Sequence, residues 1–293
     1  MPKLAQLHLI VFLLSLTGIL GRLIDLPAPP LVAWRTLLAA LAAAAWILLR
    51  RGRLCPPLRP LVGMLGVGVI IGLHWMCFFG SIRLSNISVA LAGFATTSLF
   101  TAFTEPWIER RRLRPFEVLL GLIVLSGLVL VAGSVRDHLA GLGVALAGAL
   151  LAAIFPVLNR RLVLDRHDPM AMVLWEMLGA CATCLVMLPF LVGAAGRLVP
   201  QPGEVGWLLV LALLCTVFAH GWHIHLLRSI SAYTANLAIN FEPVYGMLMA
   251  AVLFHEHEML NLGFYAGAGS IVLANVLHPL GLRWARRRQG PFS

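Results

Sequence analysis

Long apolar runs recur along the whole chain, and short polar or proline-containing segments separate them. A helix needs about 20 mostly apolar residues to cross the hydrocarbon core of a bilayer. The runs are continuous rather than alternating, which argues against a transmembrane β-barrel. We therefore predict ten spanning helices, at residues 4–24, 30–49, 59–80, 86–107, 116–135, 139–158, 169–193, 205–227, 232–254 and 260–280.

The composition agrees with a chain that lies mainly in lipid. Hydrophobic residues make up 60% of the 293 residues, charged residues make up 12%, and the mean hydropathy is +0.91. Soluble domains average about 45–50% apolar and about 25% charged residues. The fold class that we predict is an all-α integral membrane protein without a sizeable soluble domain.

The basic residues indicate an orientation for these helices. Most of the 22 Lys and Arg residues lie in alternate connections, at residues 50–59, 110–114, 160–166 and 283–288. Cytoplasmic loops carry such an excess, so we expect a multi-pass protein of the bacterial inner membrane with both termini in the cytoplasm. This bias also accounts for the net charge of +10, and we expect a lipid bilayer rather than nucleic acid as the partner.

The two halves of the chain resemble each other. His74-Trp75 corresponds to His220-Gly221-Trp222, and an offset of 146 residues also places Thr96 opposite Glu242. Each half contains five predicted spans, and an odd number reverses the second half in the membrane, as in many secondary transporters. We predict two inverted five-helix repeats, at residues 4–136 and 139–280, followed by a basic cytoplasmic tail at 281–293.

Several stretches together resemble a known family. They read LVAWRTLLAAL (31–41), ISVALAGFATTSLFTAFTEP (87–106), FPVLNRRL (155–162), WEMLGA (175–180) and SAYTANLAINFEPVYG (231–246). From residue 4 to 280 the chain resembles the EamA-type branch of the drug/metabolite transporter superfamily. The resemblance implies a ten-helix carrier that works by alternating access, exports amino acids or other small metabolites, and has a cavity lined mainly by helices 1, 3, 4, 6, 8 and 9.

The chain departs from this family at two places. Leu14-Ser15 stands in helix 1 where the family often has a tryptophan, so these two positions supply no aromatic contact. His255-Glu256 follows helix 9 where the family has Gly-Glu, so the turn chemistry there differs.

Glu242 is the first candidate for a substrate-binding or coupling residue. An ionisable side chain at the bilayer centre costs about 2.5–3.5 kcal/mol on insertion scales, so such residues are functional candidates by default. Pro243 follows it, and a proline frees a backbone carbonyl and can kink a helix. The alternative is a structural glutamate that bonds the freed backbone or an arginine.

Polar side chains in helices 4 and 9 are further candidates for lining a cavity. Asn236 and Asn240 are four residues apart and share a helix face with Tyr233. Thr96 and Thr97 are their counterparts in helix 4. Hydrogen bonds between helices, or from threonine to the preceding turn, are the alternatives.

Two histidines and two tryptophans occupy matching places in the repeats. His74 and His220 could titrate during a transport cycle. Trp75 and Trp222 could stack on an aromatic or cationic substrate. The alternative is that the histidines are neutral and packed in the interior.

Arg35 and Glu176 are also repeat counterparts, in helices 2 and 7. Inversion places them at opposite depths, so we expect each to bond locally or to extend toward the interface rather than to form a pair. The histidines of residues 220–225 and 255–257 lack a recognisable zinc spacing. We expect no metal and no cofactor.

These observations favour a secondary transporter, with a small molecule as its substrate and no catalytic residues. The alternatives are a structural or regulatory membrane protein with a sealed core, and a membrane-embedded enzyme. Gly263-x-x-x-Gly267 in helix 10 could serve close packing within the chain or a homodimer contact. The identity of the substrate, the direction of transport and its coupling to protons stay open.

Overall fold

The computed structural model describes residues 3–110, 112, 115–192, 196–230, 238–239 and 241–288. Within these ranges the secondary structure is helical and contains no strand. The α-helices are α1 (Lys3–Leu23), α2 (Ala28–Leu49), α3 (Leu58–Leu84), α4 (Ile87–Phe94), α5 (Thr97–Glu109), α6 (Pro115–Ser134), α7 (Leu139–Ala152), α8 (Phe155–Leu164), α9 (Pro169–Leu191), α10 (Pro202–Ala212), α11 (Ala219–Leu226), α12 (Glu242–Phe254) and α13 (Leu262–Arg288).

Seven helical segments of the described chain are long and apolar enough to cross a membrane. Three further apolar helices are shorter, at Leu119–Ser134, Glu242–Phe254 and Leu262–Ala274. The predicted all-helical membrane fold is therefore confirmed, whereas the number of ten spans stays a prediction.

The predicted helix 86–107 is divided into α4 and α5 by a short turn. The hydroxyls of Thr96 and Thr97 each donate a hydrogen bond of 2.7 Å, to the carbonyls of Gly93 and Phe94 respectively. Threonine side chains that bond the preceding turn in this way slightly destabilise helices and often bend them. The sequence pattern predicts the span but not this interruption.

The predicted helix 139–158 is likewise divided, into α7 and α8, and Pro156 explains why. A proline lacks the amide that would donate to Ala152, and its ring clashes with that carbonyl. Thr104 of α5 donates 3.2 Å to the carbonyl of Ala153 at this interruption. The turn between α7 and α8 is therefore held in part by a helix of the first half.

The helix α12 begins at Glu242, with Pro243 as its second residue. The preceding chain is described only at residues 238–239 and 241, so part of the predicted span 232–254 lies outside the described residues. Within the described chain Glu242 thus lies at the start of a helix. In the repeat it corresponds to Thr96, which lies at the turn between α4 and α5.

The two halves interlock along α9, which packs against both α2 and α3. The backbones approach closely because Gly68 on α3 and Gly179 on α9 lack side chains. A Cβ atom at Gly68 would overlap the carbonyl oxygen of Glu176, and one at Gly179 would lie 2.5 Å from the carbonyl oxygen of Leu65. Small residues allow such contacts between membrane helices.

The last helix, α13, packs along α6. A Cβ atom at Gly267 would lie 2.9 Å from the amide of Val131, and one at Gly263 would lie 2.6 Å from Ser134 Oγ. The Gly263-x-x-x-Gly267 motif therefore serves close packing within the chain. A homodimer stays a prediction from the sequence.

A carboxylate of the second half caps a helix of the first half. Glu256 accepts hydrogen bonds from the amides of Ile87 (3.0 Å) and Ser88 (2.8 Å) and from the hydroxyl of Ser88 (2.6 Å). Asn86 adds a side-chain cap to the amide of Val89. These acceptors satisfy amides that an α-helix leaves unpaired in its first turn.

Candidate functional site

A cavity of about 110 Å³ lies between the two halves, with α1 to α5 on one side and α7, α8, α11 and α12 on the other. It has room for several water molecules. Its lining residues are Leu14, Thr17, Arg35, His74, Trp75, Phe78, Leu91, Phe94, Ala95, Thr97, Ala152, Phe155, Pro156, His220, His223, Ile239, Glu242 and Pro243.

Three helices begin at this cavity. Thr97 is the first residue of α5, Phe155 of α8 and Glu242 of α12, and all three residues line it. The first amides of a helix lack intrahelical partners, and the helix dipole places partial positive charge there. Interrupted helices that point such ends at a midplane site are a recurrent way of binding substrate in transporters.

Arg35 is the largest charged group of the cavity wall and is only 1% exposed. Its Nε donates 2.7 Å to Thr216 Oγ1, and its Cζ lies 3.7 Å from the ring centroid of Trp75. This is the one hydrogen bond that the guanidinium makes among the described residues. Since a guanidinium has five N–H donors, its remaining donors can bind a ligand in the cavity.

The position of Thr216 depends on a π-helical segment, Leu213–Phe218, between α10 and α11. Thr216 donates in turn 2.8 Å to the carbonyl of Leu211, a bond five residues back that this wider winding permits. Such π segments are often found at functional sites. Here the segment aims a second-half hydroxyl at an arginine of the first half.

Glu242 faces the same cavity from α12 and is half-buried. Arg35 and Glu242 interact electrostatically. They are not among the ion pairs within 4.0 Å in the described part of the chain. The cavity wall therefore contains a cation from the first half and a carboxylate from the second half.

The two repeat-related histidines have different partners. His74 Nδ1 donates 3.0 Å to the carbonyl of Gly148, and its ring lies 5.4 Å from that of Phe94. His220 Nε2 lies 2.8 Å from the Glu176 carboxylate, which Asn159 Nδ2 also approaches at 3.4 Å. One histidine is therefore held by the backbone and the other by an ionisable group.

Five of the predicted site residues line the cavity: Thr97, His74, Trp75, His220 and Glu242. Tyr233, Asn236 and Asn240 lie outside the described residues.

Two predicted residues have other contacts. Thr96 is buried and donates its hydroxyl to Gly93, as described above. Trp222 Nε1 donates 3.1 Å to Gln6 Oε1, and its ring packs 5.2 Å from Phe218. Neither is among the residues that line the cavity.

Arg35 is the cavity residue that the sequence reasoning placed elsewhere. We expected it to bond locally or extend to the interface, but it lies in the cavity wall. The sequence did contain a signal for this position, because a charged residue within an apolar span is a candidate for a functional site. Arg35 and Glu176 bond separate partners, Thr216 and His220, in agreement with the expectation that they do not pair.

A family model described as the EamA-like transporter family matches the chain twice, over residues 4–133 and 139–277. The chain belongs to the EamA-like transporter family. With its long apolar helices, this EamA-like transporter is a multi-pass membrane protein of the drug/metabolite transporter superfamily. The family comprises transporters rather than enzymes.

The fold of this EamA-like transporter is also found in a solved structure titled "Crystal structure of protein". That structure matches with a TM-score of 0.66 and 18% sequence identity, and the match covers 98% of each chain. At this identity the likeness concerns the fold. A comparison with curated proteins finds no match.

Proposed function

We propose that this EamA-like transporter is a secondary carrier that moves a small metabolite through the cavity by alternating access. The observation that carries the proposal is the placement of Arg35 and Glu242, opposite charges from the two halves, around one cavity. Movement of one half against the other changes the distance between these charges. A substrate that binds both would therefore favour one arrangement of the halves over others.

The charges favour a dipolar substrate such as an amino acid or a related compound. Its carboxylate would lie at the free donors of Arg35, and the helix starts nearby add to the attraction of an anion. Its amine would lie at Glu242. Buried charges without partners are costly, so a ligand that neutralises both would bind better than one that reaches only one.

The finer features of the fold form part of this proposal. Ten spans result if α4–α5, α7–α8 and α10–α11 each form one interrupted span and the three shorter apolar helices also cross. In this proposal the chain forms two inverted repeats, at residues 4–136 and 139–280. It lies in the inner membrane with both termini in the cytoplasm. Export is the expected direction, since the resemblance implies it.

The first test is a metabolite profile of the medium from cells that express the wild type, Arg35→Gln, Glu242→Gln or an empty vector at matched membrane levels. Glu258→Gln is the control, because this glutamate is exposed on the turn after α12. We expect one or a few metabolites to accumulate with the wild type and the control alone. Equal profiles for the wild type and the vector would contradict export of the cell's own metabolites.

The second test asks which charge binds which end of the substrate. Binding of the labelled metabolite to purified protein would be measured in competition with its carboxyl ester and its N-acetyl derivative, because binding can be measured in variants that no longer transport. For the wild-type protein, we expect both derivatives to compete at least tenfold less well than the unmodified metabolite. Arg35→Gln should remove the discrimination against the ester, whereas Glu242→Gln should remove the discrimination against the N-acetyl form. The opposite pairing would show that the substrate lies the other way round.

A further inference from the structure

We propose that Glu176 and His220 form a proton-binding site that couples transport to a proton gradient. The proposal rests on the proposed carrier function and adds its source of free energy. The pair lies in the wall behind the Arg35–Glu242 cavity, and nothing in the binding of a dipolar substrate requires it.

One side chain, His220, separates the Glu176 carboxylate from the cavity. Glu176 on α9 is fully buried, at 0% exposure, and is absent from the cavity lining. His220 on α11 lines the cavity and lies 2.8 Å from Glu176 through Nε2. His220 therefore stands between the carboxylate and the space that water and substrate occupy.

A buried pair of this kind favours holding one proton. Without that proton, a lone carboxylate would be buried in low dielectric at a cost of several kcal/mol. With one proton the pair is neutral overall, whichever member carries it. Loading or emptying the site therefore changes the charge of the interior by one unit, which is a requirement for coupling.

The surroundings of the pair can accept further hydrogen bonds. Glu176 Oε1, Asn159 Oδ1 and His223 Nε2 are buried and have no hydrogen-bond partner among the described residues. Carboxylate and amide oxygens are acceptors. A proton that arrives on Glu176 Oε2 would give it an O–H donor 2.8 Å from His220 Nε2, which accepts once it has released its own proton.

The transfer needs only water and the two side chains. His220 takes a proton at Nδ1 from a hydronium ion in the cavity and passes the proton on Nε2 to Glu176 Oε2, which leaves a water molecule, a neutral imidazole and a neutral carboxylic acid. The reverse sequence returns one proton to the cavity after the halves have moved. A substrate in the cavity displaces the water that serves His220, so substrate and proton compete and the exchange is an antiport.

Other charged or titratable groups lie on the elements that pack against α9 and α11. His223 follows on α11, and both it and His74 on α3 interact electrostatically with His220. Arg35 on α2 and Glu242 on α12 face the same cavity. Two further elements that contact α11 carry ionisable groups with other partners. Arg160 on α8 lies 4.0 Å from Glu109, and the His8 ring on α1 lies 5.4 Å from that of Phe241.

The experiment compares two kinds of flux in liposomes that contain the purified full-length protein. Exchange of labelled for unlabelled substrate at equal pH needs no net proton movement, whereas accumulation driven by a pH gradient does. One unit of pH corresponds to about 1.4 kcal/mol, so one proton per substrate supports accumulation of up to about tenfold. We expect the wild type to accumulate substrate on the acidic side.

Glu176→Gln keeps the side-chain shape and removes the titratable group. We expect it to retain exchange and to lose accumulation, whereas Glu176→Asp and the exposed control Glu258→Gln should accumulate substrate. Accumulation by Glu176→Gln equal to that of the wild type would overturn the proposal. So would accumulation by the wild type on the alkaline side, or accumulation driven by a sodium gradient alone.

A measurement on the wild type alone guards against a variant that does not fold. In weakly buffered liposomes a pH-indicator dye reports protons that cross as labelled substrate moves. Substrate movement without proton movement would overturn the coupling and leave the carrier function intact. Absence of exchange by the wild type with every metabolite from the profile would overturn the carrier function itself.

Discussion

Glu256 is the residue whose structural role is most sharply defined. Its carboxylate is 4% exposed and accepts three hydrogen bonds at the start of α4, from the opposite half of the chain. Hydrogen bonds to a charged group contribute about 1.5–3 kcal/mol each, and an unsatisfied buried donor costs about 1–3 kcal/mol. The cap therefore joins the two halves at this end of α4.

We expect Glu256→Gln to lower the free energy of unfolding by about 1–3 kcal/mol, because an amide has one acceptor oxygen where the carboxylate has two. The thermal midpoint of the protein in detergent, followed by size-exclusion chromatography, measures the change. Glu258→Gln, on the same turn but exposed, should leave the midpoint unchanged. Equal midpoints for Glu256→Gln and the wild type would show that the cap is not stabilising.

The sequence identified several cavity residues but not their partners. Periodicity and the repeat point to Glu242, His74 and His220, because an ionisable group in an apolar span needs a polar environment. The contact between Arg35 and Thr216 could not be predicted, since it depends on the π-helical segment that rotates Thr216 relative to a regular helix. Helical spacing gives the face of a residue only where the winding is regular.

At the scale of elements, the contact between α3 and α9 depends on glycine. A Cβ atom at Gly68 would overlap the backbone of Glu176, whereas a Cβ atom at Gly66, on the same helix, would meet nothing within 4 Å. We expect Gly68→Ala to destabilise the protein by about 1–3 kcal/mol, the usual cost of overpacking. Gly66→Ala should be neutral or slightly stabilising, because alanine is the better helix former.

The Gly68→Ala and Gly66→Ala variants are compared by their thermal midpoints in detergent and by the amount of folded protein in the membrane. Because Gly68 contacts the backbone of Glu176, its substitution should also impair transport in the protein that still folds. A Gly68→Ala variant as stable as Gly66→Ala would mean that α3 and α9 can separate at little cost.

The turn between α4 and α5 places two adjacent threonines in different environments. Thr97 lines the cavity, whereas Thr96 is fully buried. In a background without the five native cysteines, we expect Thr97→Cys to react with a small water-soluble thiol reagent at least tenfold faster than Thr96→Cys. Prior incubation with the transported metabolite should slow the reaction at position 97. Equally slow reaction at the two positions would argue for a sealed core.

The interruptions of helices limit what a hydropathy pattern can predict. Pro156 signals the α7–α8 turn, but a proline near the start of a helix and one that divides a span have the same local sequence. The α4–α5 turn has no proline. Thr96 and Thr97 bond the preceding turn there, but Thr36 and Thr183 make the same kind of bond within the unbroken helices α2 and α9. The apolar runs therefore predict where spans lie but not where they are broken.

At the scale of the whole molecule, the apolar runs and the repeat predict the architecture better than the site. Each apolar run must be buried in lipid or protein, so the membrane fold follows from composition and length. The interlocking of α9 with α2 and α3 depends on contacts between residues more than 100 positions apart, such as Gly68 with Glu176. Periodicity within one helix carries no information about such partners.

An ionic cluster joins the two halves at the end that the charge bias predicts to face away from the cytoplasm. Arg197 contacts Glu204 at 2.7 Å and bonds the carbonyl of Asp25. Arg83 pairs with Asp25 at 2.9 Å, and the amide of Asp25 donates 2.8 Å to Glu204. Separation of the halves at this end breaks contacts between the α1–α2 turn and the α9–α10 connection.

We expect Arg197→Ala to favour the arrangement that is open at this end. Partly exposed ion pairs contribute about 0.2–1 kcal/mol each, and a loss of about 1 kcal/mol shifts a two-state population about fivefold. Labelling of Thr97→Cys in intact cells by a membrane-impermeant thiol reagent should therefore become about fivefold faster. Arg136→Ala, an exposed arginine on the same predicted side, should leave the rate unchanged. If Arg197→Ala does not change the labelling rate, opening at this end does not require the cluster to break, and the cavity has to be reached by another route.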